Sequence, residues 1–110
     1  MKPGGAFLVL TTAGNPLQAR RLARRLLEKR LTACVTLVPR VRSLYWWKKR
    51  IEESGETLLL IKTRQPRLNT LFRQLKAIHP YEVPEILALP ISRGDPAYLR
   101  WLGESLMISG

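Results

Sequence analysis

The residue types best able to do chemistry lie in one segment, KAIHPYEVPEILALPI at residues 76–91. It contains His79, the only histidine of the chain, which is followed by Tyr81, Glu82 and Glu85. An imidazole can bind a metal ion, act as a general base, or form a structural hydrogen bond where a helix ends. No Ser or Cys lies at a spacing that would supply His79 with a nucleophile, so we do not expect an enzyme. The segment alone leaves open both a structural role for His79 and a role in a ligand or metal cleft.

The other candidate metal ligand of soft character is Cys34, the only cysteine. One cysteine and one histidine are too few for a structural zinc site, and a single cysteine cannot form an internal disulfide. Cys34 lies within an apolar segment, where an unpaired cysteine usually packs as a small hydrophobic residue. Any metal site would therefore need other ligands, or ligands from a second subunit.

Charged and aromatic residues elsewhere do not indicate a catalytic pair. Glu82 and Glu85 flank Pro84, which predicts an extended backbone and not two carboxylates on one helix face. We expect Glu85 to form an ion pair with Lys62 rather than to transfer protons. Trp47 ends a predicted strand, and we expect it to pack in an interface, with stacking on a ligand as the alternative.

Positive charge dominates the composition, because 19 Lys and Arg residues against 8 acidic residues give a formal net charge of +11. Thirteen of the nineteen are Arg, the side chain better suited to bidentate contacts with phosphate or carboxylate. The pairs Arg20/Arg24 and Arg21/Arg25 place like charges one helical turn apart, which destabilises a helix unless an anion offsets the repulsion. This face is either simply solvated or binds anions such as nucleic acid.

The length and hydropathy of the chain limit its class. No segment approaches the roughly 20 apolar residues that span a bilayer. The first residues, MKPGGAFLVLTT, lack the long apolar stretch and the cleavage site of a secretory signal. We therefore predict one cytoplasmic domain over residues 1–110, without membrane association.

Periodicity and capping residues predict four strands and three helices. Asn15 and Asp95 are suitable N-caps, and Pro66 suits a first helical turn. The second helix must end near His79, because the residue before Pro80 avoids helical geometry. The predicted strands cover residues 5–12, 32–47 and 55–63, and a short fourth strand within residues 84–92 is ended by Pro90. Pro39 demands an edge position, a bulge or a bend in its strand, and residues 48–54 are predicted to form a polar connection.

The order β-α-β-β-α-β with an added C-terminal helix predicts an α+β, ferredoxin-like fold, in which helices cover one face of an antiparallel sheet. The predicted buried helix positions are Ala19, Leu22, Ala23, Leu26, Leu27 and Leu31 in the first helix, Leu68, Leu71, Phe72, Leu75 and Ile78 in the second, and Leu99 and Leu102 in the third. Residues 58–61, LLLI, are apolar on both sides of their strand. Something must therefore cover the other face of the sheet, and self-association is the simplest candidate.

Three stretches together resemble the CutA divalent-cation-tolerance family: RLTACVTLVPRVRSLYWW, LLLIKT and HPYEVPEILALPISRGDPAYLRWL. The resemblance extends from about Phe7 to Leu102. It implies a ferredoxin-like subunit that assembles as a homotrimer and takes part in tolerance of, or response to, divalent metal ions. A similarity of that trimer to P-II signalling proteins makes a small-effector sensor the alternative function, beside a basic nucleic-acid or anion-binding module.

The resemblance also implies the positions of a site. It places Lys62, His79, Tyr81 and Glu85 in a cleft between subunits, with Trp47 at its rim. In copper-binding members the ligands resemble a cysteine and two adjacent histidines, at positions that correspond here to Thr11, Ile78 and His79. Because a hydroxyl and an alkyl group do not replace a thiolate and an imidazole as copper ligands, the resemblance implies at most weak copper binding through His79.

Two further departures from the family pattern concern the backbone. The family often has glycine at the positions of Arg40 and Lys49. If the backbone there has positive φ, each side chain costs about 1 kcal/mol.

Overall fold

The computed structural model describes residues 5–107, which form a four-stranded antiparallel sheet and three helices. The elements are β1 (Ala6–Ala13), α1 (Pro16–Glu28), β2 (Cys34–Trp47), β3 (Arg50–Arg64), α2 (Gln65–Ile78), β4 (Leu87–Pro90) and α3 (Pro96–Ser105). The strand order across the sheet is β2-β3-β1-β4, and each neighbouring pair is antiparallel. The predicted order of elements and the α+β class are confirmed.

The helices begin where the capping residues predict. The side-chain oxygen of Asn15 accepts a hydrogen bond of 2.9 Å from the Gln18 N–H at the start of α1, and Asp95 caps α3 in the same way through Tyr98. The helix α2 ends at Ile78, and His79 has the extended ψ of 133° that the following proline favours.

The hydrophobic core lies between α1, α2 and one face of the sheet. Its fully buried members include Val9, Leu26, Leu59, Ile61, Leu71 and Leu75. The prediction that Leu27 belongs to the buried face of α1 is wrong, because 38% of its surface is exposed. Leu27 lies at the edge of the apolar stripe, one residue beyond Leu26, which takes the central position. In α3, Leu102 is fully buried and Leu99 is half-buried.

The predicted polar connection at residues 48–54 is wrong, because β3 already begins at Arg50. Trp47 pairs directly with Arg50, so the turn consists of Lys48 and Lys49 alone. Their φ angles are 50° and 69°, as in the type I′ turns that match the twist of a two-residue hairpin. The polar residues at 52–54 are therefore strand residues, whose pairing with β2 follows from this short turn.

Of the alternatives predicted at Pro39, the structure has both an edge position and a bulge, because β2 lies at the edge of the sheet and its register shifts between Val38 and Val41. Arg40 occupies the bulge with φ of 59°. Arg40 and Lys49, the two positions at which the family often has glycine, therefore both have positive φ.

The β2–β3 hairpin extends beyond the rest of the sheet. The strand β1 pairs with β3 only over residues 57–64, so residues 41–56 pair only with each other. We call residues 41–56 the hairpin arm. Its large apolar side chains face solvent: Leu44, Trp46 and Ile51 are 66%, 72% and 64% exposed.

The outer face of the sheet, opposite α1 and α2, is only partly covered. The helix α3 contacts β3, and the Tyr98 side chain reaches Cys34 on this face. Beyond α3, Leu87 and Leu89 of β4 stay about half exposed. The fold therefore leaves apolar surface in two places, the hairpin arm and the β4 side of the outer face.

Candidate functional site

His79 is a buried structural residue, with 7% of its surface exposed. Its Nδ1 accepts a hydrogen bond of 3.1 Å from the Tyr81 backbone N–H. Its Nε2 lies 2.8 Å from the Thr12 carbonyl oxygen, which can only accept. The pair of bonds therefore requires the tautomer with hydrogen on Nε2, and His79 ties the end of α2 to the end of β1.

The residues present do not fit a copper site at His79. Both ring nitrogens are engaged with backbone groups, so a metal ion would have to displace one of them. Thr11 is fully buried, and Ile78 offers no ligand atom. Within residues 5–107, no three His, Cys, Asp or Glu side chains are grouped so that they could hold an ion.

Tyr81 forms a side-chain hydrogen bond with a buried carboxylate. The Tyr81 hydroxyl donates a hydrogen bond of 2.7 Å to Oε2 of Glu56, and only 8% of the surface of Glu56 is exposed. Burial and then this bond to the Glu56 carboxylate raise the pKa of Tyr81 above its usual value. Tyr81 therefore stays protonated and remains a donor.

The pKa of Glu56 results from opposing effects. Burial, the largest single effect, raises it, but hydrogen bonds from Ser43, Tyr81 and Thr12 and the nearby His79 lower it more. The net pKa lies below that of an ordinary glutamate. Glu56 is therefore held as a carboxylate at neutral pH, at the junction of β3, β1 and the residue 79–81 segment.

A cleft of about 720 Å³ opens between the hairpin arm and residues 81–85. It brings three carboxylates, Glu56, Glu82 and Glu85, next to several aromatic side chains. The lining residues are Thr12, Ser43, Leu44, Tyr45, Trp46, Trp47, Glu56, Tyr81, Glu82, Val83, Pro84 and Glu85. Three of the eight acidic residues of this basic protein therefore face one cavity.

The predicted site residues divide into two groups. Trp47, Tyr81 and Glu85 line the cleft, whereas His79 supports it from behind and Lys62 does not line it. The Lys62 ammonium instead donates to the Thr36 hydroxyl at 2.5 Å and to the Cys34 sulfur at 3.6 Å. The predicted Lys62–Glu85 ion pair is not formed within the chain, because Lys62 projects from the outer face of β3.

Cys34 is half-buried rather than part of the central core. It lies between the Lys62 ammonium and the Tyr98 side chain, so it has polar neighbours that its apolar sequence context did not indicate. Burial first, and then Cys34, raise the pKa of Tyr98.

Sequence reasoning missed Glu56, the most buried acidic residue of the cleft. Glu56 and Tyr81 are 25 residues apart in the chain, so their contact depends on how the strands pack. The available signal was a single acidic residue at the start of a predicted strand with an apolar centre, GETLLLIKT.

The fold and the cleft define an α+β class of protein in which a ferredoxin-like sheet carries a projecting hairpin. The family model of the CutA1 divalent ion tolerance protein matches residues 7–105. The chain therefore belongs to the CutA1 divalent ion tolerance family, and the family that its motifs predicted is confirmed.

Individual relatives agree with this assignment. The divalent-cation tolerance protein CutA of Pectobacterium atrosepticum is 48% identical over 101 residues, which are 92% of each chain. The crystal structure of CutA1 from Oryza sativa has a TM-score of 0.91 at 40% identity, covering 97% of this chain and 98% of that one. The mouse protein CutA is 43% identical over 91% of this chain, but the chain spans only 56% of the mouse protein.

The comparisons overturn the prediction of a cytoplasmic protein. A rice relative, 42% identical over 91% of this chain and 56% of its own length, is the chloroplastic protein CutA 1. A structure from Archaeoglobus fulgidus, 37% identical with a TM-score of 0.89 over 93% of this chain and 99% of its own, is described as periplasmic. Members of the family therefore occur in more than one compartment, and the composition of this chain does not select among them. Among residues 5–107, no helix combines the length and the apolar character needed to cross a membrane.

Proposed function

We propose that this chain takes part in divalent-cation tolerance as a homotrimer without enzymatic activity, and that it binds cations in the cleft beside the hairpin arm. Its membership of the family over residues 7–105 supports the tolerance role. The relatives carry that role in their names. The main support for the cleft as the cation site is that Glu56, Glu82 and Glu85 all line it, in a protein of net charge +11.

The hairpin arm supports self-association. A two-stranded hairpin with no further strand or helix against it is marginally stable in water, and here it exposes Leu44, Trp46 and Ile51. Contact with other copies of the chain would remove these side chains from water. The trimer that the family resemblance implies supplies such contacts.

The chemistry of the cleft favours hard divalent cations over copper. Carboxylate oxygens are the ligands that ions such as Mg²⁺ and Mn²⁺ prefer, and Glu82 and Glu85 are both exposed. No group of three suitable side chains forms within the described part of one chain. The proposed ion therefore takes some of its ligands from a neighbouring copy, at the seam between subunits.

The proposed absence of catalysis follows from how the candidate groups are used. The ring nitrogens of His79 are engaged with backbone groups. The Glu56 carboxylate accepts hydrogen bonds from hydroxyl groups. Neither group offers a free base beside a nucleophile.

A small organic effector is the second candidate. The cleft is lined by Tyr45, Trp46 and Trp47 as well as carboxylates. A cavity with aromatic walls and a few polar groups is typical of small-molecule sites. Such a ligand would use the P-II-like mode that the family resemblance suggests.

Titration calorimetry separates these possibilities. We expect Mn²⁺ to bind the wild-type protein, and the Glu82→Gln/Glu85→Gln double variant to lose that binding. Glu104→Gln, which removes an acidic side chain outside the cleft, is the matched control and should bind as the wild type does. Cation binding that survives in the double variant, or binding of nucleotides without binding of any divalent ion, would contradict the proposed cation site.

A further inference from the structure

The charges of the molecule are segregated between two regions. We define the helix layer as residues 16–30 and 65–78, which include α1 and α2. It contains nine of the nineteen Lys and Arg residues but only one of the eight acidic residues, Glu28. Five of the other acidic residues lie on the hairpin arm or on the cleft segment: Glu52, Glu53, Glu56, Glu82 and Glu85. The net charge of +11 is therefore concentrated on the outer surface of the helices.

Four arginines form the centre of this basic surface. Arg20, Arg21, Arg24 and Arg25 are all exposed, while the opposite side of α1 is buried in the core. Among the described residues, none of these four guanidinium groups forms a salt bridge, and the ion pair that is formed, Arg42–Glu53, lies on the hairpin arm. The four positive charges are therefore presented to solvent without a neutralising group.

This arrangement costs helix stability that the fold does not require. Arg20/Arg24 and Arg21/Arg25 repel each other at a spacing of four residues, and the first turn of α1 contains no acidic residue to complement the helix dipole. The buried face of α1 depends only on its apolar residues, so uncharged side chains would serve folding equally well. An anionic partner at this surface would remove the repulsion.

The basic surface continues from α1 onto α2. The Lys29 ammonium donates a hydrogen bond of 2.6 Å to the Gln74 side chain, which fixes the end of α1 beside α2. Next to this contact, Arg73 and Lys76 are exposed on α2. The partner must therefore present negative charge over an extended surface rather than at one point.

We propose that the basic surface of the helix layer docks on the phosphodiester backbone of nucleic acid. Arginines four residues apart are about 6 Å apart along the helix axis, and duplex DNA offers closely and regularly spaced negative charges along its whole length. Guanidinium groups form bidentate hydrogen bonds with phosphate. The one aromatic residue of the two helices, Phe72, packs against the core and is not presented to stack on a base. Docking is therefore independent of base sequence.

A membrane surface fits these observations less well. A helix that lies in a lipid interface inserts its apolar face among the acyl chains. The apolar face of α1, Ala19, Leu22, Ala23 and Leu26, is buried against the sheet and has no such freedom. Leu17 is the one large apolar side chain exposed near the start of α1.

The test is the salt dependence of binding to a fluorescently labelled 24-base-pair duplex of random sequence, followed by anisotropy. We expect the full-length protein to bind the duplex at low salt. In the variant Arg20→Gln/Arg21→Gln/Arg24→Gln/Arg25→Gln, the slope of log K against log salt concentration should become less steep by about 3 to 4, and binding at low salt should weaken at least about tenfold. The matched control removes the same charge elsewhere, as Arg40→Gln/Lys49→Gln/Arg50→Gln/Arg93→Gln, and should retain most of the affinity.

Three outcomes would overturn the proposal. The first is that the wild-type protein does not bind the duplex at low salt, which would show that the basic surface is only solvated. The second is that the control loses as much affinity as the α1 variant, which would show that binding depends on net charge and not on this surface. The third is that the protein binds vesicles containing anionic lipid but not the duplex, which would identify a membrane as the partner. Far-UV circular dichroism verifies folding, and Arg21→Gln/Arg25→Gln, with an expected slope change of about 2, replaces the fourfold variant if that one is unfolded.

Discussion

The helix layer and the hairpin arm place apolar and charged residues in opposite ways. In the helix layer most apolar side chains are buried within the chain, Leu17 and Leu27 being exposed, and the exposed charged side chains are basic apart from Glu28. In the hairpin arm the apolar side chains are exposed, and the adjoining cleft is acidic. One region therefore completes its core within a single chain, whereas the other has surface suited to other copies of the chain and to cations.

This difference implies that the two regions respond differently to substitution. Substitutions in the helix-covered core should act on the folding of each subunit. Substitutions on the hairpin arm and in the cleft should act on assembly, ligand binding and pH dependence.

The largest effect is expected in the core. Leu59→Ala removes a fully buried side chain from β3 and should lower the free energy of unfolding by about 2 to 5 kcal/mol, since the cavity is only partly refilled. Leu17→Ala, at an exposed position of α1, should change it by no more than about 0.5 kcal/mol. Denaturant unfolding measures both, and equal losses in the two variants would contradict the position of the core.

The next effect is expected at Glu56. Glu56→Gln removes the charge of a buried carboxylate that accepts from several hydroxyl groups and exchanges one of its acceptor oxygens for an NH2 donor. It should cost about 1 to 3 kcal/mol. Because its pKa is lowered in the folded state, Glu56 contributes stability that is present above the usual carboxyl pKa. That contribution is lost as pH falls through the folded-state value.

Unfolding experiments across an acid series measure this dependence. The Glu56→Gln variant should lose less stability on acidification than the wild type does. Glu85→Gln, at an exposed cleft position, is the control and should keep the wild-type pH dependence. If the stability of Glu56→Gln fell with pH in parallel with that of the wild type, Glu56 could not be the carboxylate responsible for the acid-induced loss.

A smaller effect is expected at Tyr81. Tyr81→Phe removes one donor to Glu56 while keeping the ring against His79. It should destabilise the protein by about 1 kcal/mol, and it should raise the pKa of Glu56, which moves the acid-induced loss of stability to higher pH. A variant whose acid-induced loss stays at the wild-type pH would show that the hydroxyl does not stabilise this carboxylate.

The smallest effect is expected on the basic face. Arg20→Glu replaces a repulsion with an Arg24 ion pair and places a negative charge in the N-terminal half of α1, in its second turn. The gain should be about 0.3 to 1 kcal/mol. Comparing the thermal unfolding of Arg20→Glu with that of Arg20→Gln, which only removes the repulsion, separates this removal from the favourable effect of the new negative charge. A melting temperature of Arg20→Glu below that of the wild type would contradict the role given to charge.

The sequence was sufficient for most of the fold because the signals were local. Asn15, Asp95 and Pro80 each affect the backbone within one turn of their own position. The spacing of apolar residues that predicts α1 and α2 likewise lies within each helix and needs no distant contact. The hairpin arm was predicted only in part, because residues 52–54 are polar and resemble a loop. Their strand conformation depends on the two-residue turn at Lys48 and Lys49, which fixes the register with β2.

The site was harder to predict because its contacts join distant segments. The role of His79 at a helix end followed from Pro80, but its bond to Thr12 spans 67 residues. The Tyr81–Glu56 bond and the contact of Lys62 with Cys34 likewise depend on which face of the sheet each side chain occupies. Tyr81, Glu85 and Trp47, which the family resemblance placed at a cleft between subunits, line one cleft within the chain, and their role there stays a prediction. The resemblance could not supply the local partners of Lys62.

We propose that other copies of the chain cover the hairpin arm. Light scattering on the purified protein at micromolar concentration tests it directly. We predict a mass of three times the 12.6 kDa subunit for the wild type, and a lower mass for the arm variant Trp46→Ser/Ile51→Ser. A folded wild-type protein with the mass of one subunit would contradict the account.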